Sequence, residues 1–304
     1  MNNKYDVLII GCGPCGIGTA LKLKEAGINF AIIEGSTPGG KVNIAPRVDN
    51  YPGFTKIPGP ELAVALFKKV MDNNIEIIYD FVNKLTKEDG LFKLEGNEGT
   101  YYAKYVVLAS GTKEKKIGLE KEDELLGHGI SYCALCDGHF FKDKTIVVIG
   151  GGNSALKEAI HLAHVGKKLY VVHRRNEFRG NAKLVDELKE FKHVEILTPY
   201  IPVEILGEDK VTGVVLENRE TGERKTIETD GLFPLVGQIP NTQFVEIENV
   251  KDEYGLVPVD KEMQSSCENL YAGGDILPRD IRQIYLSEVD AKMASKAIIE
   301  YLKK

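Results

Sequence analysis

Cys133-Ala134-Leu135-Cys136-Asp137 holds two thiols three positions apart, with a carboxyl directly behind them. That spacing brings the sulfurs into bonding range when the second lies in a first helical turn, where the helix N-terminus also lowers a thiol pKa. Asp137 can then shuttle a proton as the thiol pair forms. Two glycine-rich loops flank the motif, Gly11-Cys12-Gly13-Pro14-Cys15-Gly16 and Gly150-Gly151-Gly152-Asn153-Ser154-Ala155. In the first, Gly11 permits a tight strand-to-helix turn, Gly13 lets backbone approach a pyrophosphate, and Gly16 lets helix and strand pack closely. The helix that follows presents unpaired N–H groups to the negative charge. Ala155 takes the third position of the second loop, which the fingerprint allows. Two nucleotides with a dithiol between them imply an electron path. Two electrons enter from one nucleotide, pass through the other and leave as a thiol pair.

Other readings stand beside this one. Cys-x-x-Cys is also half of a zinc site, and His128 and His139 flank the pair. A nucleotide-binding redox sensor without turnover is a further alternative. We prefer the redox pair and expect no metal. Cys12 and Cys15 repeat the Cys-x-x-Cys spacing inside the phosphate loop, where a disulfide would distort the turn. They are expected to be small space-fillers under the nucleotide.

The loops need strands and helices to hold them. Val7–Ile10 is an unbroken apolar run, as in a parallel strand buried on both faces. Ile17–Ala26 has helical periodicity, Gly27 stands at a helix stop, and Phe30–Ile33 is a second strand. That strand ends in Glu34, positioned to accept hydrogen bonds from ribose hydroxyls. The pattern recurs with strand Thr145–Ile149, helix Ser154–Val165, stop Gly166 and strand Leu169–Val172. Here no acid follows. His173, Arg174, Arg175 and Arg179 stand instead, and guanidinium groups suit a 2′-phosphate, favouring NADPH over NADH. The spacing predicts an α/β protein with two Rossmann-like dinucleotide-binding domains. Residues 114–240 form the second, inserted into a discontinuous first domain of residues 1–113 and 241–304. Crossings are expected near the charged run after Gly111 and near Gly237.

With 43% hydrophobic and 28% charged residues, the composition is that of an ordinary globular chain. A net charge of −6 argues against nucleic acid or an anionic membrane as partner. No run approaches the roughly 20 apolar residues of a membrane span. Five cysteines are few and odd in number for a secreted disulfide framework, so a cytoplasmic location is expected.

These motifs resemble the low-molecular-weight thioredoxin reductases along nearly the whole chain. The first loop looks like their FAD loop, and Pro38-Gly39-Gly40 and Asn50-Tyr51-Pro52-Gly53 like their flavin-side loop. Ser131–Gly138 looks like the redox centre, and His173-Arg174-Arg175 with Arg179 resembles the NADPH signature. Gly237, Pro240 and Asn241 resemble the second crossover. Gly274-Asp275 and Arg282-Gln283 resemble the C-terminal flavin motif. The resemblance implies FAD contacts at Gly11, Gly13, Pro14, Cys15, Gly16, Glu34, Gly39, Gly40, Lys41, Asn50, Val82, Gly111, Gly274, Asp275, Arg282, Gln283 and Ile284. It implies NADPH contacts at Gly152, Asn153, Ser154, Ala155, His173, Arg174, Arg175 and Arg179, and a cofactor contact at Gly237 in the crossover.

The implied mechanism carries electrons from NADPH through FAD to a Cys133–Cys136 disulfide and on to thioredoxin. Cys136 is nearest the flavin, Cys133 attacks the substrate disulfide, and Asp137 is the acid/base. Members of the family are homodimers that rotate one domain against the other. Lys41 departs from the family's usual glutamine. Tyr285, Val289 and Ala291 stand where small residues and glycine are usual. Replacing Arg174 and Arg175 with alanine should weaken NADPH binding by about 1.5–3 kcal/mol per lost charge-assisted contact. NADH binding should change little, and an unchanged NADPH/NADH ratio in nucleotide titrations would contradict the role of the basic cluster.

Overall fold

The computed structural model describes residues 4–45, 47–54 and 56–303. Two compact units form, Met1–Lys113 with Ile239–Lys304, and Glu114–Gln238. The first unit opens with β1 (Lys4–Ile10), α1 (Pro14–Glu25), β2 (Phe30–Ile33), α2 (Gly59–Asp72) and β3 (Ile77–Ile78). It continues with β4 (Val82–Glu88), β5 (Leu91–Gly96), β6 (Thr100–Leu108) and β7 (Thr112–Glu114). Next come α3 (Ala134–Asp137), β8 (Thr145–Ile149), α4 (Asn153–Ala163), β9 (Lys168–Val172), α5 (Ala182–Glu190) and β10 (Val194–Leu197). The strands β11 (Tyr200–Gly207), β12 (Val211–Asn218), β13 (Arg224–Glu228) and β14 (Gly231–Pro234) follow. The chain closes with β15 (Gln238–Pro240), β16 (Leu270–Ala272) and α6 (Ile284–Leu302). Strands β7 and β15 pair where the chain leaves and re-enters the first unit.

In the first unit the sheet runs β3-β2-β1-β6-β5-β4, with β16 also beside β6. Strand β1 is parallel to both neighbours, Val7 facing Phe30 on one side and Tyr105 on the other. Val7, Leu8 and Ile9 are fully buried, which is why this segment reads as an unbroken apolar run. Helix α1 starts at Pro14, earlier than its periodicity predicts. Proline is favoured in a first turn, where its missing N–H has no partner to lose. The helix stops because Gly27 turns left-handed, at φ 72°. Its N–H donates to Lys24 O and the Ile28 N–H to Leu23 O, closing the last turn.

The second unit repeats the opening. Its sheet runs β10-β9-β8-β14, all parallel, so both units begin with strand order 3-2-1, as Rossmann-like folds do. Alternate residues of β8 divide its core. Val147 and Ile149 pack with Val214, Leu216 and Ile227 of the antiparallel β11-β12-β13 sheet. Ile146 and Val148 pack with Leu156, Ala159 and Leu162 of α4. Helix α4 ends at Ala163, two residues short of the expected Val165. No helix among the described residues is long and apolar enough to cross a membrane.

A methyl group on Gly16 would stand 1.9 Å from the Gly11 carbonyl oxygen, so strand and helix meet there backbone to backbone. Gly16→Ala should therefore cost about 1–3 kcal/mol by overpacking, read as a lowered urea midpoint. A variant as stable as the parent chain would contradict that close approach.

Candidate functional site

The first glycine loop is held from several sides. Gly11 sits at φ 104° and donates its N–H to Ile33 O at 2.8 Å. Glu34, 9% exposed, accepts from the Cys12 N–H at 2.6 Å and from the Ser36 N–H at 2.7 Å. Its carboxylate is thereby fixed at the end of β2 beside the loop. The Gly39 N–H donates to Cys12 O at 2.7 Å, which brings the Gly39–Gly40 turn against the same loop. Where a side chain would project from Gly13, nothing lies within 4 Å. This exposed backbone at the start of α1 is what a pyrophosphate requires.

Other predicted residues of the first unit are drawn to the same region by polar contacts. Lys41 Nζ lies 3.3 Å from Asp275 Oδ2 and 3.0 Å from Thr112 Oγ1. Arg282 Nε donates to Asp275 O at 3.1 Å, and Asn50 Nδ2 donates to Gln283 Oε1 at 2.7 Å. Ile284 opens α6. Val82 is buried at the start of β4, next to Phe81, which packs on Gly35. Gly111 is left-handed, at φ 64°, and its carbonyl accepts from the Asn241 N–H. Of the departures from the family pattern, Tyr285 and Val289 are exposed, whereas Ala291 is buried against Gly18.

Asp290, Arg279 and the Tyr51–Glu288 pair escaped sequence reasoning. Asp290 is buried and accepts from the Gly274 N–H at 2.8 Å and from Arg279 Nη2. Tyr51 Oη donates to Glu288 Oε1 at 2.5 Å, tying the Asn50–Gly53 segment to α6. Cys12 and Cys15 are buried, unpaired thiols. Burial first, then the Glu34 charge, pushes Cys12 up to about 12. Burial and the Asp290 charge push Cys15 up as well. Thiols held neutral in this way are packing groups rather than nucleophiles.

In the second unit, the Gly150 N–H donates to Val172 O, and the Gly151 carbonyl accepts from the N–H groups of Arg179 and Gly180. Asn153 Oδ1 accepts from the Asn181 N–H at 2.8 Å. Gly152, like Gly13, has open space where a side chain would stand. Ser154 is exposed and Ala155 buried in the first turn of α4. Arg174, Arg175 and Arg179 are exposed beside the loop. His173 differs from its neighbours. It is 6% exposed, stacked on Phe178 at 5.0 Å, and lies against Gly151. Burial, then the three arginine charges, lowers its pKa. A neutral imidazole under the loop supports it from behind. Gly237, at φ 120°, stands in open space at the return crossing.

The thiol motif forms a tight turn. Cys133 and Cys136 are joined as a disulfide with Cα atoms 5.3 Å apart. Cys133 caps α3, and its Sγ accepts from the Cys136 N–H at 3.1 Å. Asp137 is 6% exposed, and its Oδ2 accepts from Ser131 Oγ at 2.6 Å. Ser131 Oγ in turn accepts from the Cys133 N–H at 3.1 Å. A carboxyl, a hydroxyl and the backbone of the first cysteine thus form one chain of hydrogen bonds. Buried Glu122 accepts from Tyr132 Oη at 2.8 Å and holds the residue before Cys133. Burial and that carboxylate push the Tyr132 phenol up. Leu135, between the two cysteines in sequence, is exposed, as is Phe140. Among the described residues, no three His, Cys, Asp or Glu side chains gather as a metal would need.

This chain matches the pyridine nucleotide-disulphide oxidoreductase family over residues 5–291. It is similar to the thioredoxin reductase of Mycoplasma pneumoniae, 39% identical over 300 residues that cover 98% of this chain and 95% of the relative. The thioredoxin reductase of Bacillus subtilis is 35% identical over 301 residues, covering 99% and 95%. The crystal structure of thioredoxin reductase from Streptococcus pyogenes superposes with a TM-score of 0.93 at 36% identity, over 100% of this chain and 99% of that one. With two nucleotide loops and a paired Cys133–Cys136, the chain belongs to the pyridine nucleotide-disulphide oxidoreductase family, among its thioredoxin reductases.

Proposed function

We propose that disulfide reduction by this chain runs from NADPH through FAD to Cys133–Cys136 and then to thioredoxin, with Asp137 moving the proton. The observation that carries this reading is the disulfide itself, paired on a turn whose first cysteine is linked through Ser131 to a buried carboxyl. Gly11–Gly16, Glu34, Gly39–Lys41, Asn50, Val82, Gly111, Gly274, Asp275 and Arg282–Ile284 would hold FAD in the first unit. Gly152–Ala155, Arg174, Arg175, Arg179 and Gly237 would hold NADPH in the second, with His173 supporting the loop from beneath. The bare backbone at Gly13 and Gly152 fits pyrophosphates, and the change from Glu34 to arginines at the end of the second strand fits two different riboses. Together the bound cofactors supply two-electron delivery, which no side chain provides.

The side chains do the rest. Two electrons and two protons open the Cys133–Cys136 bond to a dithiol. Cys133, deprotonated through Asp137, attacks one sulfur of the thioredoxin disulfide, forming a mixed disulfide and releasing a thiolate. Cys136 then attacks Cys133 Sγ, restoring the internal disulfide and releasing the second thioredoxin thiol. The exposed Leu135 and Phe140 offer the substrate apolar side chains. As in the family it resembles, the chain is read as a homodimer.

Cys136→Ser should keep FAD bound and reducible by NADPH yet lower thioredoxin reduction by at least about a hundredfold. Retained turnover in a coupled thiol assay would contradict the dithiol route. With its pKa raised to about 12, Cys12 should stay unlabelled by iodoacetamide at pH 8 in the folded, reduced protein, and Cys15 with it. Cys133 and Cys136 should be labelled under the same conditions. Mass spectrometry showing modified Cys12 or Cys15 would restore the loop pair as a redox candidate.

A further inference from the structure

Besides Asp137 and the Glu122 that holds Tyr132, the carboxyl of Glu158 reaches the redox turn. Glu158 lies on α4, the helix that starts at the second glycine loop, and its Oε2 accepts from the Ala134 N–H at 2.7 Å. That N–H belongs to the peptide joining Cys133 to Ala134, so the carboxyl sits on the bond next to the first sulfur-bearing residue. Ala134 itself is fully buried. The charged and titratable groups around Glu158 come from three elements. Glu114 on β7 raises its pKa, Asp137 lies buried on α3, and α4 itself contributes Lys157 and His161, the latter against Gly138. Burial first, then Glu114, pushes Glu158 up to about 7 against the pull of the Ala134 N–H. This carboxyl therefore changes charge in the range where thiols of a redox pair do.

We propose that Glu158 is a positioning residue for the redox pair: its carboxyl fixes the Cys133–Ala134 peptide, and its negative charge opposes the thiolate that reduction leaves beside it. The proposal rests on reading Cys133–Cys136 as the redox pair. Reduction by two electrons and one proton breaks the S–S bond and leaves one thiol and one thiolate. In turnover the electrons would be supplied by the nucleotide cofactors; in the test below dithiothreitol supplies them. An ionised carboxylate held on the peptide next to Cys133 disfavours a thiolate on that residue, and a neutral one does not. Removing the charge must therefore lower the thiol pKa. Glutamine keeps an acceptor for the Ala134 N–H, which separates the charge from the hydrogen bond.

The test uses the full chain reduced with dithiothreitol, freed of excess reductant and alkylated with iodoacetamide across a pH series. Mass spectrometry follows Cys133 and Cys136. Glu158→Gln should lower the pKa of the attacking thiol by about one unit, giving about tenfold faster alkylation below that pKa. Glu158→Ala should move it the same way. Glu187→Gln, which removes an exposed carboxylate on α5, should leave it unchanged. The unmodified chain provides a reading without mutation. Its alkylation rate should follow two ionisations, of the thiol and of Glu158, whereas Glu158→Gln loses the second. An unmoved pKa in both Glu158 variants, an equal shift in Glu187→Gln, or a single ionisation in the unmodified chain overturns the proposal. If neither cysteine becomes alkylable on reduction, the redox-pair reading falls and the proposal with it. Alkylable cysteines with an unmoved pKa defeat the role of Glu158 alone.

Discussion

A glycine loop of bare backbone at the start of a helix is the constraint on which both units are built. Backbone N–H groups can face an anion only if no side chain stands in front of them. Gly13 and Gly152 meet that condition at the starts of α1 and α4. Once the loop is bare, the strand before it must be buried, the helix after it must pack close, and the turn between must accept unusual backbone angles. Gly16 against Gly11, and Gly150 against Leu235, satisfy the close packing in the two units. The 3-2-1 strand order then carries the end of the second strand to the loop, which places Glu34 there in one unit and exposed Arg174 and Arg175 in the other.

The dithiol turn follows a different rule. Its sulfurs must change bonding without the backbone drifting, so its groups are fixed by short polar contacts from outside the turn. Glu158 holds Ala134, Glu122 holds Tyr132, and Ser131 links Cys133 to Asp137. Two acidic residues contact the turn itself, and a third holds the tyrosine before it. Each of the three carboxyls accepts from a donor: Glu158 from the Ala134 N–H, Glu122 from Tyr132 Oη and Asp137 from Ser131 Oγ.

Much of this was legible in the sequence because period and punctuation agree there. The apolar run Val7–Ile10, the stop at Gly27 and the acid at Glu34 define one βαβ opening. Thr145–Ile149, Gly166 and the arginines define the other. Less visible were β4 and β5, whose half-exposed residues mix charged and apolar types too evenly to show a period, and β11, an apolar run interrupted by Pro202 and Glu204. The sequence groups His173 with two arginines, but just past the end of β9 it is buried and stacked on Phe178, while Arg174 and Arg175 are exposed. Glu158 did carry a signal. It falls between Ala155 and Leu162 on the apolar stripe of α4, and an acid there needs a buried partner. That partner, the Ala134 N–H, lies 24 residues away along the chain, and no local pattern could name it. The Lys41–Asp275 pair was hidden for the same reason.

The central claim is a single electron path through two nucleotides and one disulfide. Anaerobic titration of the purified, flavin-loaded protein with NADPH, followed by oxidised thioredoxin, tests it most directly. The account predicts that the flavin absorbance bleaches with NADPH and returns when thioredoxin is added. A flavin that stays oxidised under NADPH but bleaches with dithionite, or one that stays bleached after thioredoxin, would contradict it.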